Sequence, residues 1–229
     1  MNLVIQVLSA SALLLSGASG EKVALKRTYT ANETVTYSMS LKGEAQGFEI
    51  LGEAEIEYKV TEVSEGIAKV ARNPLKFSVQ IDGEVMPGMD ISPDSCKMDA
   101  FGMPDSLSSE GAEWAYTIVA FTGFVANQEV ETAQDFKVNW RGKDNGSTVT
   151  GTGKLIAVEE LEGRKVAKVK YELEVVPDGE EVPGLATFES TYDLGTGQLV
   201  HSKGSLSIEN EVQLSFEIKR AKKNSGSGS

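Results

Sequence analysis

The sequence predicts a mainly β protein whose strands form a curved antiparallel sheet or an unclosed β-barrel. Apolar and polar side chains alternate in run after run, and turn-forming residues follow these runs. An internal duplication further indicates that the sheet is built from two tandem β repeats, with one helical insert between them.

The alternation predicts strands with one buried face. In residues 167–175 every second side chain is apolar, and the side chains between them are lysine or glutamate. Residues 35–41, 54–60, 75–81 and 212–218 show the same period of two. Since the polar side chains of each run face water, the pattern favours antiparallel sheet over parallel sheet buried on both faces.

Turn residues separate the predicted strands. Asp82-Gly83, Glu162-Gly163 and Asp178-Gly179 supply residues that tolerate a positive φ, which tight hairpins require. The strands are therefore expected to follow one another as a meander of hairpins.

The duplication sets the predicted domain organisation. Residues 37–43 match residues 136–142, and residues 83–88 match residues 179–184, in the same order along the chain. A C-terminal hairpin follows the second copy, and we expect it to join the copies into one continuous sheet. The predicted segments are a signal peptide over 1–20, a single β domain over 21–220 with copies at about 24–101 and 123–200 and an insert at 103–122, and a flexible tail over 221–229.

The insert between the copies is predicted to form a helix. Asp105 or Ser106 is placed to cap its start, and apolar side chains follow at helical spacing. These apolar residues are Leu107, Trp114, Ile118 and Phe121. Residues 115–121 also fit a buried strand, because β-branched side chains follow one another there, so a strand is the alternative.

The first residues of the chain favour export. Residues 1–20 contain no charged side chain, and the small residues Ala18 and Gly20 precede Glu21, as at a signal-peptide cleavage site. The usual basic start is missing, which leaves an uncleaved anchor as the alternative, although serines interrupt the apolar stretch too often for a good membrane span. We expect an extracytoplasmic protein, periplasmic or secreted, with no stable membrane span.

Charge argues against one class of partner. The formal net charge is -12 and the isoelectric point is about 4.7. Phosphate backbones are repelled by most of such a surface, so we expect no nucleic acid partner. The sequence names no protein partner.

Side chains for catalysis or metal binding are scarce. Cys96 is the single cysteine and His201 the single histidine, which excludes a disulfide framework within the chain and any site that needs two histidines. No serine of the predicted domain lies in a nucleophile elbow. We therefore predict a protein that is not an enzyme, with no catalytic residue, no metal and no cofactor.

Three short patterns begin like ligand-binding loops and fail at their remaining positions. The glycine-rich residues 146–154 lack the lysine and hydroxyl pair of a phosphate-binding loop. Val200 stands where a dinucleotide-binding loop needs its third glycine. A calcium loop beginning at Asp90 has Ser95 in place of its central glycine and Phe101 in place of its last glutamate.

Two phrases carry a resemblance to a known group of sequences. Residues 158–169 and 191–199 resemble an uncharacterised family of secreted all-β proteins of planctomycete-type bacteria, a domain of unknown function, over roughly residues 24–210. The resemblance implies a secreted β protein and brings no biochemical role. A looser architectural likeness, to periplasmic lipoprotein carriers and mycobacterial lipid-binding lipoproteins, implies a curved sheet that holds acyl chains beneath helices.

This likeness and the apolar insert together suggest an apolar ligand or lipid in the concave face of the sheet. The candidate ligand-binding residues are Trp114, Ile118, Phe121, Phe124, Met98 and Met103. The same side chains also suit a filled core, in which case the protein is a structural or protein-interaction module of the cell envelope without a ligand.

Overall fold

The computed structural model describes residues 20–87, 91–107, 114–143, 146–209 and 211–221, which form thirteen strands and one helix. In chain order these are β1 (Lys22–Leu25), β2 (Thr34–Ala45), β3 (Phe48–Ser64), β4 (Ile67–Ile81), β5 (Glu84–Val85), β6 (Asp94–Met98), α1 (Trp114–Thr122), β7 (Gln128–Glu131), β8 (Asp135–Arg141), β9 (Thr148–Leu161), β10 (Arg164–Val176), β11 (Gly184–Asp193), β12 (Leu199–Ile208) and β13 (Val212–Arg220). Apart from residues 20 and 221, the predicted signal peptide and tail lie outside the described residues.

One sheet of eleven strands carries the fold, in the order β5-β4-β3-β2-β13-β12-β11-β10-β9-β8, with β6 also paired to β4. Neighbouring strands are antiparallel throughout. The two end strands of this order are not paired with each other, so the sheet stays open. The predicted fold class is confirmed: antiparallel β structure, not closed into a barrel, with one short helix between strands in the described part of the chain.

The last hairpin of the chain makes the sheet continuous. Strand β13 is hydrogen-bonded to β12 on one side and to β2 on the other. It therefore links the strands of the first half of the chain, β2 to β4, with those of the second half, β8 to β11. The bounds of the two repeats remain a prediction.

Four hairpins turn in a way that the right-handed twist of strands favours. In each, two successive residues have positive φ and the second is glycine, as in a type I′ turn. The pairs are Gln46-Gly47, Glu65-Gly66, Asp82-Gly83 and Glu162-Gly163. The sequence predicted the last two of these turns.

One face of the sheet is apolar across nearly its whole width. Strand pairing aligns one residue from each of nine adjacent strands in a single row, which contains no polar side chain. In the order of the sheet, these strands run from β4 through β3, β2, β13, β12, β11, β10 and β9 to β8. The row is Ile81, Ile50, Gly43, Leu214, Leu206, Ala186, Leu173, Gly151 and Val138. This face must be covered, because exposing it to water costs about 25 cal/mol per Å².

Bulges interrupt the strand pairing at four places. The pairing register shifts twice between β3 and β4, once between β9 and β10, and once between β11 and β12. A bulge adds a residue to one strand, increases the local twist and bends that strand. The sheet is therefore curved, and α1 covers its apolar, concave face.

The helix is shorter than the sequence predicted. It spans Trp114–Thr122, and the proposed cap at Asp105 or Ser106 is wrong. Pro104 instead forms an isolated bridge with Met98, and the backbone N–H of Leu107 donates to Ser147 Oγ at 3.2 Å. These contacts hold residues 104–107 against β6 and the residue before β9.

Side chains of β11 anchor the end of α1. The hydroxyls of Ser190 and Tyr192 both donate to the backbone carbonyl of Thr122, at 3.0 and 2.9 Å. Ser190 Oγ also lies 2.9 Å from Ser202 Oγ of β12, and all four residues are fully buried. Because the last carbonyls of a helix have no partner within it, these bonds satisfy a group that would otherwise be buried without one.

The small sheet of β1 and β7 covers one end of the core. The backbone carbonyl of Glu21, just before β1, accepts from Thr132 N at 3.0 Å, and Thr28 N donates to Thr196 O at 2.9 Å. Leu25 is 1% exposed, so this sheet contributes to the core as well as covering it. In the described part of the chain, no helix is long and apolar enough to cross a membrane.

Removing the Tyr192 hydroxyl tests the anchor of the helix. Tyr192→Phe is expected to lower the free energy of unfolding by about 1–2 kcal/mol, because Thr122 loses one of two buried donors. Urea unfolding followed by circular dichroism measures this change.

Tyr58→Phe is the matched control. Tyr58 is 7% exposed, and among the described residues its hydroxyl has no hydrogen-bond partner. Removing that hydroxyl is expected to leave stability unchanged or to raise it. Equal losses in both variants would show that the bond to Thr122 does not anchor the helix.

Candidate ligand-binding site

A cavity of about 380 Å³ lies between α1 and the concave face of the sheet. Its described lining comes from the helix, from β2, β3, β4, β10, β11, β12 and β13, and from the β10–β11 connection. The lining residues are Leu41, Ala45, Ile50, Val79, Ile81, Trp114, Thr117, Ile118, Phe121, Val175, Pro177, Glu180, Val182, Gly184, Leu206, Ile208, Val212 and Leu214. Sites for small molecules commonly have volumes of about 300–1,000 Å³, so this cavity is large enough for one.

The floor of the cavity is continuous sheet. A second row of paired residues runs beside the first and contains Ala45, Val212, Ile208, Gly184 and Val175. Both rows are apolar, and their backbone polar groups are used in the strand ladders. The floor therefore offers apolar surface and no hydrogen-bonding side chain.

The roof of the cavity is one face of α1. Ile118 and Phe121 are 2% and 1% exposed, and Phe121 also packs against Phe188 and Phe216 of the sheet, with ring centroids 5.7 and 6.2 Å apart. Trp114, at the start of the helix, is only partly buried. The helix thus closes the cavity more tightly at its carboxyl end than at its amino end.

Trp114 packs against a glycine of the sheet. A β-carbon added at Gly52 would lie 3.3 Å from the indole Cη2 of Trp114, and the indole centroid lies 6.1 Å from the ring of Phe77. The absence of a side chain at Gly52 lets the large indole lie close to β3. The indole ring therefore lies between the amino end of the helix and β3.

The cavity opens at the end of the sheet opposite β1 and β7. Glu180 and Val182, both in the connection from β10 to β11, are its exposed lining residues, and Val182 is 39% exposed. Glu180 is the one charged side chain among the described residues of the lining. Phe48, on β3 at the same end, is 52% exposed and follows the alternation of the concave face.

Three of the six predicted ligand-binding residues lie at this cavity. Trp114, Ile118 and Phe121 form its roof. Phe124 instead lies beyond the helix, where it stacks on Phe101 with centroids 5.7 Å apart.

The two predicted methionines also lie elsewhere. Met103 is 0% exposed within the core. Met98 lines a smaller cavity of about 50 Å³ beside Tyr58 and the carboxyl half of α1. Neither methionine lines the larger cavity.

Sequence reasoning did not select the floor of the cavity. Leu206, Ile208, Val212 and Leu214 come from the last hairpin, and Ile50 comes from β3. Their alternation places each on an apolar face, but the pairing of β13 with β2 is what brings that hairpin beside the first half of the chain. The sequence therefore indicated on which face of the sheet these residues lie, but not that they line the cavity.

The described residues contain no group of three or more acidic, cysteine or histidine side chains placed to hold a metal ion. His201 lies on β12, with its Nε2 2.9 Å from Glu217 Oε1. Cys96 lies on β6, opposite Val70 of β4. Neither residue lines the 380 Å³ cavity.

Several solved structures align with most of this chain at low sequence identity and at TM-scores below 0.5. The solved structures that align with the chain include lipovitellin, studied for its lipid-protein interactions, at 10% identity and a TM-score of 0.46, covering 88% of this chain and 26% of that one. A protein with a YmcC-like fold from Bacteroides fragilis has 13% identity and a TM-score of 0.36, covering 87% and 100%. The hypothetical lipoprotein YmcC from Escherichia coli has 13% identity and a TM-score of 0.27, covering 85% and 90%.

These likenesses do not identify a family or a function for the chain. The chain spans about a quarter of the length of the lipovitellin chain that it matches. No protein-family model matches the sequence, and no curated protein matches it.

The thiol of Cys96 is expected to be unreactive in the folded protein. Burial raises its pKa to about 11, although the nearby Arg72 guanidinium lowers it in part. The thiolate is the reactive form, and at pH 8 about one thiol in a thousand is ionised at that pKa. Reaction with Ellman's reagent should therefore be at least about a hundredfold slower in buffer than in urea.

The urea sample is the control, and it should release one thiolate per chain. Equal rates in buffer and in urea would show that the folded protein does not protect the Cys96 thiol from the reagent.

Proposed function

We propose that this protein binds an apolar ligand, such as a single acyl chain, in the cavity between α1 and the concave face of the sheet. The observation that carries the proposal is the lining itself: about 380 Å³ lined by residues of seven strands and the helix, in which Thr117 and Glu180 are the only polar side chains among the described lining residues. The proposed role is binding.

The chemistry of the lining favours a chain-like hydrocarbon. The sheet floor presents no hydrogen-bonding side chain, so a polar ligand would lose its hydrogen bonds to water without replacement. Each methylene of an acyl chain gains about 0.8 kcal/mol on leaving water, and the cost of immobilising the chain offsets part of that gain.

An extracytoplasmic location belongs to the proposal. It is supported by the uncharged apolar start of the sequence with its small residues before Glu21. Membership in the secreted planctomycete-type family rests on the sequence phrases alone.

Filling the cavity tests the proposal. Leu214→Trp places a larger side chain on the floor, and it should weaken binding of the uncharged probe 1-dodecanol at least tenfold while the protein stays folded. The midpoint of a titration with a brominated dodecanol, followed by quenching of Trp fluorescence, measures the affinity. Trp114 lines the cavity and reports in every variant, and the midpoint does not depend on the tryptophan that each substitution adds.

Gln213→Trp is the matched control. Gln213 is the neighbouring residue on β13, exposed on the opposite face, so the same substitution there should leave binding unchanged. Failure of the unaltered protein to bind dodecanol would overturn the proposal, and equal binding by Leu214→Trp would place the ligand elsewhere.

A further inference from the structure

The sheet ends in an edge strand, β8 (Asp135–Arg141), whose outer side has no neighbouring strand in the described part of the chain. β8 is the last strand in the order of the sheet, where it pairs with β9. Among the described residues, no backbone hydrogen bond joins β8 to any element other than β9. Free backbone groups along an edge are a template for pairing with another strand.

The ladder with β9 decides which backbone groups of β8 face outward. Gly142, one residue past β8, donates its N–H to the carbonyl of Ser147 at 2.9 Å and continues the register of Arg141 with Thr148. Hydrogen-bonded and non-hydrogen-bonded pairs alternate in an antiparallel ladder, so every second residue before Gly142 also bonds to β9. These inward-bonded residues are Phe136, Val138 and Trp140. The residues whose N–H and C=O groups point away from the sheet are Asp135, Lys137, Asn139 and Arg141.

The four outward-bonding residues are exposed, and their charges are self-complementary. If a second copy pairs antiparallel about Val138, Asp135 of each copy lies opposite Arg141 of the other. Lys137 then lies opposite Asn139, so no like charges meet. Opposite charges directly across a pair of strands stabilise the pairing, and like charges destabilise it.

The neighbouring registers bring like charges together. Outward-facing backbone groups meet again only when the register moves by two residues, because the hydrogen-bonding pattern has that period. A shift of two residues in one direction sets Lys137 opposite Lys137 of the other copy, and the opposite shift sets Lys137 opposite Arg141. Charge therefore selects the two-fold register centred on Val138.

The other end of the sheet is less suited to such pairing. β5 has two residues and β6 has five, and both pair with β4. Between the stretches that they pair, β4 carries Pro74, which has no N–H to donate. Short strands and proline are ordinary protections of a sheet edge, and β8 has neither.

We propose that two copies of this chain pair through β8 about a two-fold axis at Val138, so that one sheet continues across both copies. The inference is independent of the proposed function, because no residue of β8 lines the 380 Å³ cavity. One pair of edge strands buries less than the roughly 800 Å² per partner of a standard interface, so the dimer should dissociate on dilution.

Sedimentation velocity over about a hundredfold range of protein concentration tests this pairing by mass action. The unaltered protein should pass from the mass of one chain to that of two. Asn139→Pro removes a donor that its own sheet does not use, and should weaken dimerisation at least about tenfold. Asn139→Ala is the matched control, because it keeps the backbone N–H and should dimerise like the unaltered protein.

A charge exchange tests the register with substitutions of exposed side chains. Arg141→Asp sets two carboxylates opposite each other at both ends of the pairing, and should weaken dimerisation about tenfold at low salt. Adding Asp135→Arg to that variant restores opposite charges and should recover most of the lost affinity.

Circular dichroism checks that each variant is folded. The mass of a single chain at every concentration, or equal dimerisation by Asn139→Pro and Asn139→Ala when both are folded, would overturn the pairing through β8. Failure of the double variant to recover affinity would overturn the register about Val138.

Discussion

The fold depends on covering a wide apolar face with very little chain. A row without a polar side chain crosses nine strands of the sheet. The described residues cover this face with one nine-residue helix, the segments beside it and the small sheet of β1 and β7. Such a helix is about 13 Å long, whereas the path across the sheet from β4 to β11 is about 24 Å. The sheet must curve around the helix, and the part that remains uncovered becomes the cavity.

The two ends of the helix are held differently, which decides where that cavity lies. At the carboxyl end, Ser190 and Tyr192 bond the carbonyl of Thr122, and aromatic rings pack around Phe121. At the amino end, Trp114 rests on β3 at Gly52 and is partly exposed. Hydrogen bonds and close packing hold the carboxyl end of the helix against the sheet. The cavity therefore lies toward the amino end of the helix.

Sequence patterns predicted the faces of the strands and the joining of the sheet by the last hairpin, but not which residues that pairing brings together at the cavity. Alternation marked the faces of the strands, and three residues of the roof followed from helical spacing. The floor required the pairing of β13 with β2, whose residues lie far apart in the chain. Phe124 was predicted as a large apolar side chain of the insert and Met98 and Met103 as flexible apolar side chains beside it, but the chain carries them into the core or to a smaller cavity.

Native mass spectrometry tests most directly whether the cavity holds a ligand. The protein and its Leu214→Trp variant would each be incubated with a total bacterial lipid extract and sprayed from volatile buffer without detergent. We predict one single-chain amphiphile per protein chain for the unaltered protein, and none for the variant. If both samples show nothing but the mass of the protein without ligand, the binding role is contradicted. The cavity would then be an unoccupied part of the core.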